Sequence, residues 1–376
     1  MDNGKIIIAR LWPKYGGDVP SRTPVILGLN PDKYETINIY HTKNSPNPNV
    51  FEQNGKKVFY LTEKSSLGLL KFFAVFKLAA LLRKQRIDIL HCHKHKSIVY
   101  GVLAGKLARV TAIIAHIHGM GRTRNRRRKF MNRYVLSQTK KILAVSGAVK
   151  NDIIKNNPSI NPDNIINIGN SIDYNKFSQI TKEPDLKQKM FGFEKESFVF
   201  ATAGRLTQTK GQVNLIKAFA QVKKDMPNAK LVIAGDGQLR DELENLTNQL
   251  GLGQDIYFAG RVEDMLSFYS AIDVFVLPSI AEGLPRSLLE AMACETYCIG
   301  SDAGGIPEIL DNGKLGKIVP AKNLQALSEA MIKIMQMPEK EKTQILQEVK
   351  KYVRENYSHG VVIKKLEKIY NDMASI

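Results

Sequence analysis

Val274-Phe275-Val276-Leu277-Pro278, with Glu282-Gly283-Leu284-Pro285-Arg286-Ser287-Leu288-Leu289-Glu290 just after it, is the stretch whose reading decides the fold. The apolar run reads as a buried parallel strand, and Pro285 suits the first turn of a following helix, where a missing N–H costs nothing. Ligands of open α/β sheets bind at such strand-to-helix junctions. The helix start offers unpaired N–H groups and a partial positive charge to a phosphate. Glu290 falls roughly 7 Å along the axis from Pro285 at about 1.5 Å per residue. Glu282 and Glu290 can therefore flank a bound diphosphate, one toward each sugar. The other reading of the pair is two solvated surface glutamates.

Moving outward, Gly204-Arg205-Leu206-Thr207-Gln208-Thr209-Lys210-Gly211 follows a strand expected at 198–203. Arg205 supplies a bidentate fork and Lys210 a point charge, a fitting pair for a pyrophosphate that gains charge as it leaves. The loop is neither a Walker A motif nor a G-x-G-x-x-G dinucleotide pattern. A turn with two exposed basic residues is its alternative reading. Gly235-Asp236-Gly237, Gly260-Arg261-Val262 and Ala303-Gly304-Gly305-Ile306-Pro307-Glu308 end further strands of the same half. Small residues there permit close backbone approach to a ligand, although turns favour glycine in any case. Five such loops at one sheet edge form a pocket.

Both halves alternate short β-branched runs with amphipathic stretches, the pattern of parallel sheets covered by helices on both faces. Strands are expected at 5–11, 35–40, 87–91, 111–116 and 141–145, then at 198–203, 230–234, 256–259, 274–277 and 297–300. Helices are expected at 65–85, 97–108, 125–138 and 147–155, then at 212–224, 239–250, 265–269 and 286–294. The polar stretch 173–189 reads as the inter-domain linker. At 376 residues the chain suits two domains, here two Rossmann-like domains facing across a cleft.

The net charge of +19 is unevenly spread. Residues 1–180 hold 30 Lys and Arg against 10 Asp and Glu, whereas residues 181–376 hold 25 against 26. No acidic residue occurs from Gly101 to Lys150, and that stretch contains Arg122-Thr123-Arg124-Asn125-Arg126-Arg127-Arg128-Lys129. Such asymmetry implies an anionic partner for the first half: a phospholipid surface, nucleic acid or a phosphate-bearing acceptor. Cys92, Cys294 and Cys298 form no disulfide framework, which points to a reducing cytoplasm. The N-terminus lacks the order of a signal peptide. The apolar stretch 67–82, interrupted by Lys71 and Lys77, falls short of the roughly 20 apolar residues of a membrane span.

Gly204-Arg205…Lys210-Gly211, Gly235-Asp236-Gly237, Gly260-Arg261-Val262, Glu282-Gly283-Leu284-Pro285…Glu290 and Gly304-Gly305-Ile306-Pro307-Glu308, in that order, closely resemble the retaining GT-B glycosyltransferases of family 4. The resemblance implies a GT-B fold: an N-terminal acceptor domain (1–175), a C-terminal nucleotide-sugar domain (176–355) and a final helix (356–376) packing back toward the first domain. It implies that Arg205 and Lys210 hold the donor diphosphate and Glu290 the ribose hydroxyls. Glu282 would contact the donor sugar, Gly283, Leu284 and Pro285 would close over it by their backbone, and the base would lie near Arg261 and Val262, with Gly235 also at the donor. Gly16-Gly17 matches the family's glycine-rich loop at the donor phosphates, and His118 the histidine beside the transferred sugar. His116, two residues earlier, is read as pointing to the opposite face. His91, His93 and His95 resemble a metal tract, but the spacing is strand-like and no carboxylate supports it. Asn170-Ser171-Ile172-Asp173 resembles the family's hinge entry, with Ser171 in place of glycine.

The activity implied is transfer of a sugar from a nucleoside-diphosphate donor, with uridine the base the family favours, to an acceptor hydroxyl. No Asp-x-Asp occurs, so neither a bridging metal nor any other cofactor is expected. Arg205, Lys210 and the helix start at Pro285 would stabilise the leaving charge. Arg122, Arg124, Arg126, Arg127, Arg128 and Lys129 run into the apolar Phe130-Met131, which suggests an anionic membrane surface and a lipid-linked or phosphate-bearing saccharide acceptor in cell-surface polysaccharide assembly. The expected location is cytoplasmic, on the inner face of the membrane. Competing readings are a GT-B enzyme of another task, such as a nucleotide-sugar epimerase or glucan synthase, and a nucleic-acid-binding protein. The last explains the charge but not the pocket loops, and no nucleic-acid module is present.

Overall fold

A computed structural model describes residues 4–15, 22–43, 48–62, 70–122, 126–180, 183 and 185–374. The chain divides into two compact units, residues 1–171 with 359–376, and residues 172–358.

In the first unit seven strands, β1 (Ile6–Lys14), β2 (Tyr34–Thr42), β3 (Lys57–Thr62), β4 (Ile89–His93), β5 (Ala112–Ile117), β6 (Lys141–Ala144) and β7 (Ile165–Asn167), form one parallel sheet in the order β3-β2-β1-β4-β5-β6-β7. The order reverses direction between β1 and β4, the place where doubly wound sheets bind ligands. Arg10 pairs in register with His91 there, and His93 with His116 on β5. The helix Lys94–Ala108 lies close on β4: a Cβ added at Gly101 would sit 2.2 Å from the Cys92 sulfur. The C-terminal helix His359–Ala374 is part of this unit's core, burying Val362, Leu366, Ile369, Tyr370 and Met373 with Ile8, Ile89 and Ile114.

In the second unit six parallel strands, β8 (Phe198–Ala203), β9 (Ala229–Ala234), β10 (Ile256–Gly260), β11 (Val274–Leu277), β12 (Tyr297–Ser301) and β13 (Lys317–Val319), lie in the order β10-β9-β8-β11-β12-β13. The near-continuous burial of the inner strands β9, β8, β11 and β12 suits a sheet covered on both faces by helices such as Gln212–Asp225 and Arg286–Ala293. The switch lies between β8 and β11. The loops 204–211 and 278–285 leave the sheet at that point.

The strands read from sequence are all present. β3, β7 and β13 escape a sequence reading; β3 and β7 lie at opposite edges of the first sheet and β13 at an edge of the second, and two of these strands are only three residues long. The stretch read as a linker contains two short helices, Tyr174–Phe177 and Leu186–Phe191; the first packs on the helix Arg286–Ala293, with the Cys294 thiol donating to the Phe177 carbonyl. The helix expected at 65–85 spans Leu70–Lys84, its first expected turn lying outside the described residues. All three cysteines are free and buried.

Candidate active site

At the C-terminal edge of the second sheet the loops touch backbone to backbone, which is why glycine recurs there. A Cβ at Gly235 would lie 2.0 Å from the Gly204 carbonyl oxygen, and one at Gly304 2.0 Å from that of Glu282. Both glycines also take positive φ, +124° and +59°, which side chains rarely adopt. The Gly235 N–H donates to Gly260 O at 2.6 Å, and Ile280 N–H donates to Thr209 O at 2.8 Å. The sheet edge is thereby closed into one continuous surface.

On that surface the Lys210 ammonium meets a Glu282 carboxylate oxygen at 2.5 Å, and the Ser279 hydroxyl donates to the same oxygen at 2.8 Å. Ser279 is positioned in turn by Ser301, whose hydroxyl donates to the Ser279 carbonyl at 2.5 Å. Arg205 is exposed, its carbonyl accepting from the Gln212 side chain. The helix Arg286–Ala293 begins at Arg286 as expected, with Pro285 as its N-cap rather than within its first turn, and no side chain caps it. Its first N–H groups are open to a ligand anion.

Glu290 is placed differently from Glu282. It is buried, accepting from Arg286 Nη2 at 2.6 Å through one oxygen and from the Tyr269 hydroxyl at 3.2 Å through the other. Burial pushes its carboxyl upward, and Arg286 and Tyr269 oppose the shift. Gly260, Arg261 and Val262 close the far side of the edge, with Gly260 at φ +61° and Arg261 exposed.

The first unit gathers histidines at its own switch point. Arg10 is buried, donating from Nη1 to the Tyr370 hydroxyl at 3.1 Å and from Nη2 to His93 Nε2 at 3.0 Å. A guanidinium only donates, so His93 accepts at Nε2 and carries its proton on Nδ1. His93 Nδ1–H therefore donates to His118 Nε2 at 3.1 Å, leaving His118 with its proton on Nδ1. Tyr370, already accepting from Arg10, donates to His91 Nδ1 at 2.7 Å, so His91 Nε2–H donates to His116 Nδ1 at 3.2 Å. His116 Nε2 has no hydrogen-bond partner among the described residues. Arg10 thus fixes the tautomers of His93 and His118.

Desolvation first, with the charge of Arg10 or neighbouring imidazoles added, pulls His91, His93, His116 and His118 well below the usual histidine range, so all four are neutral. Trp12 stacks on His93 at 3.6 Å between ring centroids. The His116 and His118 rings also stack, at 4.1 Å, which corrects the expectation of opposite faces: residues two apart on a strand share a face. Among the described residues His91, His93 and His116 bring nitrogens within 4.8 Å of one another, a set that could hold a metal ion. The Arg10 guanidinium occupies the His93 lone pair on that side.

Gly16, Gly17 and Arg124 lie outside the described residues. Arg122, Arg126, Arg128 and Lys129 are exposed. Sequence reasoning overlooks Ser279, Tyr269, Arg286, Arg10, Trp12 and Tyr370. Only Arg10 leaves a signal, a charge inside the apolar run Ile6-Ile7-Ile8-Ala9-Arg10-Leu11-Trp12.

Two doubly wound units, one bearing a basic loop and an uncapped helix start at its switch point, define a GT-B enzyme that uses a nucleotide sugar. Residues 185–352 match the Glycosyl transferases group 1 and residues 37–176 the Glycosyltransferase Family 4, and the chain belongs to this family of glycosyltransferases. The chain is 26% identical over 359 residues, 92% of its length and 91% of the relative's, to the UDP-Gal:alpha-D-GlcNAc-diphosphoundecaprenol alpha-1,3-galactosyltransferase of Escherichia coli. In fold it is similar to a glycosyltransferase from Rickettsia africae (TM-score 0.82, 20% identity, 98% of each chain). It is also similar to HepE of Anabaena in complex with UDP and glucose (TM-score 0.79, 20% identity, 97% of this chain and 99% of that one).

Proposed function

We propose that this glycosyltransferase moves a hexosyl group from a UDP-sugar to a lipid-linked, phosphate-bearing saccharide, with retention at the anomeric carbon and without a divalent metal. The observation that carries the donor half is the Lys210–Glu282 pair beside the uncapped start of the helix Arg286–Ala293. A cation and a row of N–H groups at one switch point suit a leaving diphosphate.

In this reading Arg205, Lys210 and the backbone of Gly283, Leu284 and Pro285 bind the diphosphate side of the donor, with Gly235 close by. Glu282 accepts from a sugar hydroxyl, Glu290 serves the ribose, and Arg261 and Val262 flank the base. The C1–O bond to the diphosphate breaks and releases UDP. The acceptor oxygen bonds C1 from the same face, and its proton passes to the leaving phosphate. His118, neutral and protonated on Nδ1, positions sugar or acceptor as a donor rather than acting as a base.

The acceptor half is supported by the Escherichia coli relative, whose name specifies a diphosphoundecaprenol-linked substrate. It is also supported by the surface of the first unit, where Phe73 and Phe76 on the helix Leu70–Lys84 are 69% and 61% exposed and Phe130, next in sequence to Lys129, is 80% exposed. Exposed aromatics among cations suit an anionic bilayer on the cytoplasmic side. No described helix is long and apolar enough to cross a membrane.

A thermal-shift panel of nucleotide sugars tests the donor. A UDP-sugar at a hundred times its Kd is expected to add about 2.7 kcal/mol of stability. Equal, negligible shifts for every nucleotide sugar would refute the reading.

A further inference from the structure

Apart from the histidine cluster, the first unit contains a cavity of about 310 Å³ at the start of the helix Lys94–Ala108. Its polar lining is Lys94, His95, Lys96, Arg122, Arg128 and Asn132, and among the described residues no carboxylate contributes to it. The helix runs for 15 residues, its N-cap, His93, makes no side-chain cap bond, and Lys94, His95 and Lys96 line the cavity, which places the positive end of the helix there. Asn132 gives an independent indication. It is only 2% exposed, lines the cavity, and its Nδ2 has no hydrogen-bond partner among the described residues. A buried amide donor without a partner is costly, and an acceptor in the cavity removes that cost. The Arg122 carbonyl accepts from Arg128 Nη1 at 3.3 Å, which holds the two arginines on the same wall. His118 also lines the cavity, so whatever fills it lies next to the imidazole assigned to sugar or acceptor.

We infer that this cavity is a phosphate site, which takes the phosphate or diphosphate borne by the acceptor. The inference rests on the glycosyl-transfer reading above for the identity of its ligand, but not for its chemistry. It divides the basic cluster by task. Arg122 and Arg128 face the cavity, whereas Arg126 and Lys129 stay on the outer surface. A uniformly solvated basic helix would leave neither a lined cavity nor an orphaned carboxamide.

Calorimetric titration of inorganic pyrophosphate into the full-length protein, with UDP saturating the donor site, tests it. Pyrophosphate is expected to bind the wild type, and Arg122→Ala/Arg128→Ala to weaken it at least about tenfold, the loss of charged hydrogen bonds, with UDP affinity unchanged. Asn132→Leu is expected to weaken pyrophosphate while leaving attachment to anionic phospholipid vesicles intact, and Arg126→Glu/Lys129→Glu to do the reverse. Pyrophosphate affinity equal in wild type and in the double arginine variant overturns the site. So does loss of vesicle attachment in that variant with pyrophosphate unaltered, since the arginines would then be a headgroup surface. Failure of UDP to bind while pyrophosphate still does would remove the donor reading and leave the cavity standing.

Discussion

Lys210→Ala is expected to lower kcat/KM for sugar transfer by about 10²–10³, the usual effect of removing one preorganised donor aimed at developing charge. Lys210 is fixed before substrate arrives, because Glu282 holds its ammonium at 2.5 Å and Ser279 holds Glu282. Preorganisation of this kind avoids reorganisation as the diphosphate leaves. Stability responds far less. The pair is partly solvated, and such pairs contribute about 0–1 kcal/mol. The same variant should therefore melt within a few degrees of wild type, on the scale of about 2–4 °C per kcal/mol for a unit of this size. Steady-state kinetics beside a melting curve separates the two effects. A variant that loses Tm and activity in proportion would reduce Lys210 to a structural residue.

Acidification from pH 7 to pH 5 is expected to destabilise the first unit strongly. His41, His91, His93, His116 and His118 all have folded-state pKa values pushed below the ordinary 6.5, His41 to about 4. Desolvation is the main cause, with Lys96 adding to it at His41 and Arg10 at His91, His93 and His116. The unfolded chain takes up protons below pH 6.5 that the folded chain refuses. The stability is therefore present above the unfolded value and is lost as pH falls from 6.5 toward the folded values. His41 alone loses about 2 kcal/mol by pH 5, at about 1.4 kcal/mol per unit. Glu290, shifted upward, acts in the opposite sense, as a single group in the other unit. Unfolding followed by urea at pH 7, 6 and 5, with proton uptake measured alongside, reads the slope. A midpoint independent of pH over that range would mean that the imidazoles are not buried neutral.

Much of the second unit was legible because its constraints are local. Where one loop's backbone rests on another's, only glycine fits, so Gly235 and Gly304 signal the sheet edge in the sequence itself. Glu282 and Lys210 are 72 residues apart, yet each lies in a loop announced by its own strand. The first unit was less legible for the converse reason. Arg10 and Tyr370 are separated by 360 residues, and nothing near Tyr370 shows that its hydroxyl ends beneath β1 and β4. The histidines could be seen, but the guanidinium that orders them could not be connected to them. Glu290 shows a third limit: its spacing from Glu282 is visible, but its burial against Tyr269 depends on packing of the helix Met265–Ser270. The cavity at Lys94 is likewise made by three separated segments, of which only the arginine run was conspicuous.

The most direct measurement is a calorimetric titration of UDP, in excess EDTA, into wild type and Lys210→Ala. Wild type is expected to bind one UDP with EDTA present, and Lys210→Ala to bind it at least about tenfold more weakly, as loss of a charged hydrogen bond requires. Equal UDP affinity in the two proteins, or binding that vanishes in EDTA, would contradict a diphosphate held by Lys210 and the helix start without a metal.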